Sequence, residues 1–162
     1  MTVKANPNLL TEEGLERLTK ELEHLRTTGR EALADRLHRA FDDGQDDEFV
    51  DNAELEAARH EQSFLEGRIL ELEGILANYK VIDRSDSPHD LVQVGDEVTV
   101  VEDGSDEEET YMLVGHAEAD PVAGRISNVS PLGRVILGAK VGSTVTVDAP
   151  SGVLKFKIVK IE

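Results

Sequence analysis

The stretch LEAARHEQSFLEGRILELEGIL, residues 55–76, decides how this chain is built. Within it Leu55, Ala58, Gln62, Leu65, Ile69, Leu72 and Leu76 alternate steps of three and four. That spacing is a heptad seam with one polar member at Gln62, and it predicts a helix lying against another helix. The partner stands upstream. Leu15, Leu18, Leu22 and Leu25 recur at the same steps, Gly29 interrupts them, Leu33 and Leu37 follow at steps of four, and Ala40 comes three further on. The shift predicts a stutter, where a supercoil locally unwinds. Thr11 is a good N-cap, and Glu12 and Glu13 put acids in the first turn, where the helix dipole favours them. Two seamed helices joined by a short turn make an antiparallel hairpin, each arm about 28 residues and roughly 40 Å long.

The turn between the arms is Phe41-Asp42-Asp43-Gly44-Gln45-Asp46-Asp47-Glu48-Phe49-Val50-Asp51, which packs six carboxylates into eleven residues. An acidic knot at the end of a long hairpin is either a solvated loop or a holder of a divalent cation. Magnesium takes hard oxygen ligands, often one or two protein carboxylates completed by a partner's phosphates. Asp51-Asn52-Ala53-Glu54 also fits a capping box, with Glu54 reaching back to the helix start.

Beyond Lys80 the periodicity changes. Asp83-Arg84-Ser85-Asp86-Ser87-Pro88-His89-Asp90 is polar and holds a proline, so it reads as a linker or an irregular opening. Glu97–Val101, Thr110–Val114, Thr144–Val147 and Leu154–Ile158 are β-type runs, and Asp103–Glu109 between the first two is a solvated acidic loop. Ser130-Pro131-Leu132-Gly133 opens a short helix through about Leu137, with proline at the first helical position after a serine cap. The chain is therefore expected to be α+β. A coiled-coil hairpin fills 1–80, and a small, mostly antiparallel β domain with a short helix fills 81–162.

Composition narrows the function. The 162 residues contain no cysteine, which excludes disulfides, zinc knuckles and thiol chemistry. Only four Phe and two Tyr are present, too few for a sheet that stacks RNA bases on aromatics. A net charge of -17 repels nucleic acid at long range, so another molecule is expected to bring the chain to it. The N-terminus lacks the apolar core of a signal peptide and no apolar run is long enough to span a membrane, so a cytoplasmic protein is expected. His24, His38, His60, His89 and His116 are scattered without ligand spacing and are expected mostly at the surface.

The chain resembles the Gre family of bacterial transcript-cleavage factors. Thr11-Glu12-Glu13-Gly14-Leu15-Glu16-Arg17-Leu18 is similar to that family's opening LTxEGxxRL, and Asp51-Asn52-Ala53-Glu54 with Ala57–Gln62 to its ENAEYxxARxEQ segment. Glu66-Gly67-Arg68-Ile69, Ser105–Glu108, Val114-Gly115, Glu118-Ala119-Asp120, Ser130–Gly133, Leu137-Gly138 and Val141-Gly142 follow in the family's order.

The resemblance implies an FKBP-like second domain, for which the aromatic-poor composition offers no prolyl isomerase pocket. It implies a hairpin that enters the secondary channel of bacterial RNA polymerase, reaching the 3′ end of nascent RNA through that enzyme. There the tip helps hold a second magnesium, shared with the polymerase active centre and not expected on the isolated protein. The factor is thus not an enzyme but a donated half-site, and it is expected to act as a monomer. It also implies docking on the channel rim through Ser130, Pro131, Leu132 and Gly133; the same residues equally suit a plain turn and helix start.

The tip departs from the family's run of Gly, Asp, Leu, any residue, Glu, Asn, Ala, Glu. Glu48 falls at the Asp position and Asp51 at the Glu, so the two acids are exchanged in type while their spacing is kept. Gln45-Asp46-Asp47 is inserted before them, which makes Asp46 and Asp47 rival ligands. The implied catalytic pair is Glu48 and Asp51, and the implied metal set adds Asp47 and Asp46. Some Gre-like relatives carry a run of tip acids and inhibit polymerase without promoting cleavage, which is the alternative. A plain coiled-coil interaction protein is a third reading. The family's basic residue before the tip is replaced by Phe41-Asp42-Asp43, and Arg36 and Arg39, a turn away, are expected to substitute for it in part.

Overall fold

A computed structural model of the chain describes residues 6–43, 53–82 and 89–162. In chain order the elements are β1 (Asn8–Leu10), α1 (Glu12–His24), a π-helical stretch (Leu25–Gly29), α2 (Arg30–Asp43), α3 (Ala53–Ala77), β2 (Tyr79–Val81), β3 (Glu97–Glu102), β4 (Glu108–Val114), β5 (Arg125–Ser127), α4 (Pro131–Ile136), β6 (Thr144–Ala149) and β7 (Gly152–Ile161). They form two compact units. One is Glu16–Asn78, and the other joins the residues up to Leu15 with Tyr79–Glu162. This differs from the expected division at 80/81. The physical reason is a two-stranded parallel sheet in which Asn8, Leu9 and Leu10 pair with Tyr79, Lys80 and Val81.

The helical unit is the expected hairpin. Leu18, Leu22, Leu33 and Ala40 are buried on the first arm, and Ala58, Ile69 and Leu72 on the second. Gln62, read as a polar seam member, is exposed instead. Arginines tie arm to arm: Arg68 to Glu21, Arg26 to Glu73, Arg30 to Glu66, and Arg36 to both Glu54 and Glu61. The expected stutter takes a definite form. The Arg30 N–H donates to the Leu25 carbonyl, five residues back, which is the π-type bond. Thr27 Oγ1 donates to the Glu23 carbonyl at 2.8 Å, a side-chain competitor for the helix's own ladder. Gly29 fits beneath Leu65, whose Cδ1 would lie 3.1 Å from a Cβ at that position.

The second unit is built on a five-stranded sheet ordered β5-β4-β3-β7-β6. All neighbours are antiparallel except β4 and β5, which run parallel. Val98, Val100, Leu113, Val147, Phe156 and Ile158 share one core with Val92, Ile126 and Ile136, the last contributed by α4. The pairing of β3 with β7 slips between Thr99 and Val100, which leaves Val159 as the extra residue of a bulge. The bulge explains why the inward residues of β7 step by two from Phe156 to Ile158 and then by three to Ile161. The acidic loop is shorter than expected, since Glu108 and Glu109 already belong to β4. Most of the linker expected over 83–90 lies outside the described residues. At its end His89 is not a plain surface histidine: its Nε2 sits 2.7 Å from Oδ2 of buried Asp96, which also accepts from the Gln93 N–H at 2.6 Å.

Candidate functional site

The four tip acids, Asp46, Asp47, Glu48 and Asp51, lie outside the described residues. What the structure describes is their frame: α2 running to Asp43 and α3 starting at Ala53. Among the described residues no group of three or more His, Asp or Glu is placed to hold a metal ion.

The frame is cross-linked by one guanidinium. Arg36 Nε donates to Glu54 Oε1 at 2.8 Å, and its Nη1 donates to Glu61. Glu54 thus places one carboxylate oxygen on the opposite arm, while Asp51, the other end of the expected capping box, lies outside the described residues. Arg36, expected to substitute in part for the family's basic residue, is engaged by two carboxylates, which use two of its five N–H donors. Arg39 donates to the Asp35 carbonyl at 3.3 Å and, with Arg36, Ala40 and Glu54, lines an open cleft of about 330 Å³.

The hydrogen bond from Arg36, more than its charge, holds the Glu54 carboxyl below the usual range. A depressed carboxyl stabilises the fold above its unfolded value, and that contribution fades as the pH falls through the lowered folded one. In an Arg36→Ala variant Glu54 is expected to titrate at a higher pH, as carbon-detected NMR of its carboxyl would show. An unchanged midpoint would mean that the ion pair is not formed in solution.

The second candidate region is well resolved into roles. Ser130 caps α4: its hydroxyl accepts from the Gly133 N–H at 3.0 Å and donates to the Ser127 carbonyl at 2.7 Å. Gly133 is buried, and a Cβ there would stand 2.0 Å from the Ser127 carbonyl oxygen. Leu132 packs on the sheet core, and only Pro131 of the four is exposed. Three of the four therefore have structural duties of their own. Val129, Leu137 and Val141, near α4 in the chain, are also exposed. A Gly133→Ala variant is expected to lose about 2–3 kcal/mol of stability, because an added methyl must push backbone away. Chemical denaturation would measure it, and a loss under about 0.5 kcal/mol, the range of neutral surface changes, would contradict the close approach.

One cluster escaped the sequence reading. Glu118 is buried, with 3% of its surface exposed, and its two carboxylate oxygens accept from the Thr11 N–H at 2.7 Å and the Thr11 hydroxyl at 2.6 Å. Thr11 is the expected cap of α1, since its Oγ1 accepts from the Gly14 N–H at 3.0 Å. A Cβ on Gly14 would fall 1.6 Å from Glu118 Oε1, and one on Gly115 would fall 1.9 Å from the Leu9 carbonyl oxygen. Thr11, Gly14, Gly115 and Glu118 all stood in the quoted motifs, but nothing in their spacing says that they meet.

The described residues form a cross-linked helical hairpin and a five-stranded sheet domain with a short helix. The N-terminal domain model of transcription elongation factors of the GreA/GreB type matches residues 8–81, and the C-terminal domain model of GreA/GreB matches residues 87–162. The chain belongs to the GreA/GreB family of transcription elongation factors. It is 45% identical to transcription elongation factor GreA of Acetivibrio thermocellus, with 94% of each chain covered. It is also 45% identical to GreA of Caldanaerobacter subterraneus subsp. tengcongensis, over 97% of this chain and 98% of that one. Among solved structures, GreA factor homolog 1 of Thermus thermophilus aligns over 97% of this chain and 99% of its own at 30% identity, with a TM-score of 0.43. Among the described residues no helix is long and apolar enough to cross a membrane.

Proposed function

We propose that the chain enters the secondary channel of bacterial RNA polymerase and stimulates that enzyme's own cleavage of backtracked RNA. Glu48 and Asp51 are its working carboxylates. The observation that carries the reading is their three-residue separation, kept within a family match that spans both halves of the chain. Carboxylate oxygens are the donors magnesium prefers, so the residue types suit the ion. Magnesium held between tip and polymerase would stabilise the attacking and leaving oxygens of phosphodiester hydrolysis. The chain's part is to bring negative charge to a site the polymerase cannot complete alone. It supplies no nucleophile of its own, so the catalyst remains the polymerase. The protein is cytoplasmic in this reading and works as a monomer.

The test is a purified polymerase stalled in a backtracked state with labelled RNA. Adding the protein is expected to speed release of short 3′ fragments in a magnesium-dependent way. Slower RNA synthesis without fragments would replace this reading with that of a channel-blocking inhibitor. No effect on either reaction would leave only a coiled-coil interaction protein.

A further inference from the structure

We propose that Glu118 is a positioning residue for the stimulated cleavage. It acts by seating the first turn of α1, the root of the helix that leads to the acidic tip. The proposal deepens the function proposed above and rests on it.

Five observations converge on this carboxylate. It is almost fully buried, an expensive place for a charge unless each oxygen is satisfied. Its two oxygens divide the two donors of one residue, Oε2 taking the Thr11 N–H and Oε1 the Thr11 hydroxyl proton. The same hydroxyl accepts from the Gly14 N–H, so Thr11 Oγ1 both donates and accepts here. The positive end of α1 faces the carboxylate, which adds to the attraction. Finally, a methyl is excluded beside it at Gly14, and Gly115, just before its 3₁₀ turn, has no room for one against the Leu9 backbone. All four residues lie within one compact unit.

An ordinary helix cap comes from the residue at the helix start, here Thr11. Glu118 is over a hundred residues away and belongs to a 3₁₀ turn, His116–Glu118, after β4. A second cap from so far along the chain adds little to helix formation that Thr11 does not already give. What it adds is a single seating for the helix start, fixed at two atoms and closed by contact at Gly14. Catalysis by a donated carboxylate depends on placement, and an error of an ångström at the reacting centre costs up to about a hundredfold in rate.

The experiment compares wild type with Glu118→Gln, Thr11→Val and Thr11→Ser in the backtracked-polymerase assay. It is run where circular dichroism shows each protein fully folded. Both the maximal cleavage rate at saturating factor and the half-saturating concentration are read. Glutamine keeps the shape but turns an NH2 toward a Thr11 donor, so the maximal rate is expected to fall about tenfold while half-saturation stays within about twofold. Thr11→Val removes the hydroxyl bond to Glu118 together with the Gly14 cap, keeps the Thr11 N–H bond, and is expected to show part of the same loss. Thr11→Ser keeps both and is expected to match wild type. Should Glu118→Gln fail to fold, Thr11→Val carries the test. Maximal rates within about twofold of wild type for both variants, or a change confined to half-saturation, would overturn the positioning role. A wild-type protein that releases no fragments would overturn this role together with the proposed function.

Discussion

Replacing Asp51 with asparagine is expected to lower the stimulated cleavage rate about a hundredfold, the loss typical of a removed charge-stabilising group. That factor corresponds to about 2.7 kcal/mol of transition-state stabilisation. The substitution is chosen because it separates two duties. Asparagine caps a helix about as well as aspartate, so the capping role the sequence suggests for Asp51 is kept. What is lost is the full negative charge that a hard cation demands. Glu48→Gln applies the same logic to the other acid and is expected to give a loss of similar size.

The rival acids give the contrast: Asp46→Asn with Asp47→Asn is expected to cost only about twofold to fivefold, as accessory charges do when they shape a field without ligating. Single-turnover cleavage of backtracked complexes at saturating factor measures all three variants. If the Asp46, Asp47 pair abolished cleavage while Asp51→Asn left it intact, the alignment of the tip would be shifted and the metal site would belong to the inserted acids.

The second large effect is structural. Gly115→Ala is expected to reduce the stability of the sheet-bearing unit by about 3 kcal/mol or more, the upper range for overpacking. The reason is the identity of the obstacle. A methyl at 115 would stand 1.9 Å from the Leu9 carbonyl oxygen, which is backbone, and β1 is itself held in register by β2. No side-chain rotation relieves that overlap, so a strand must move. Gly14→Ala meets the end of a flexible glutamate instead, and is expected to expel the Glu118 carboxylate from Thr11. Thermal unfolding followed by circular dichroism and by amide exchange in β1 would measure both. A Gly115→Ala protein as stable as wild type would show that Leu9 does not approach so closely.

Much of the fold is legible in the sequence because it is periodic. The seam from Leu55 to Leu76 announces α3, and the interruption at Gly29 announces a departure that emerges as a π-helical stretch. Gln62 misled because a heptad pattern counts positions, whereas its exposure depends on what the opposite arm offers there. Strands β1, β2 and β5 are only three residues long, too short for alternation to register. Pairings such as Leu9 with Lys80, or Thr11 with Glu118, join residues distant in the chain, and local pattern carries no trace of them. The tip acids are legible as chemistry, since their type and spacing are written in the chain. Arg36 was legible as a cation but not as one already engaged, because its two partners lie on the other arm.

The arginine pairs between the arms make the hairpin a ruler. They join Arg68 to Glu21, Arg26 to Glu73, Arg30 to Glu66, and Arg36 to Glu54 and Glu61, spread along most of both arms. A slide of one arm by a single turn would part every pair at once, so the teeth admit one setting. The 25 residues of α3 then correspond to about 37 Å of helix, and that length is counted in residues. A seven-residue insertion in one arm alone leaves the teeth unmatched. The same insertion in both arms lengthens the reach by about 10 Å and lets the teeth mesh again.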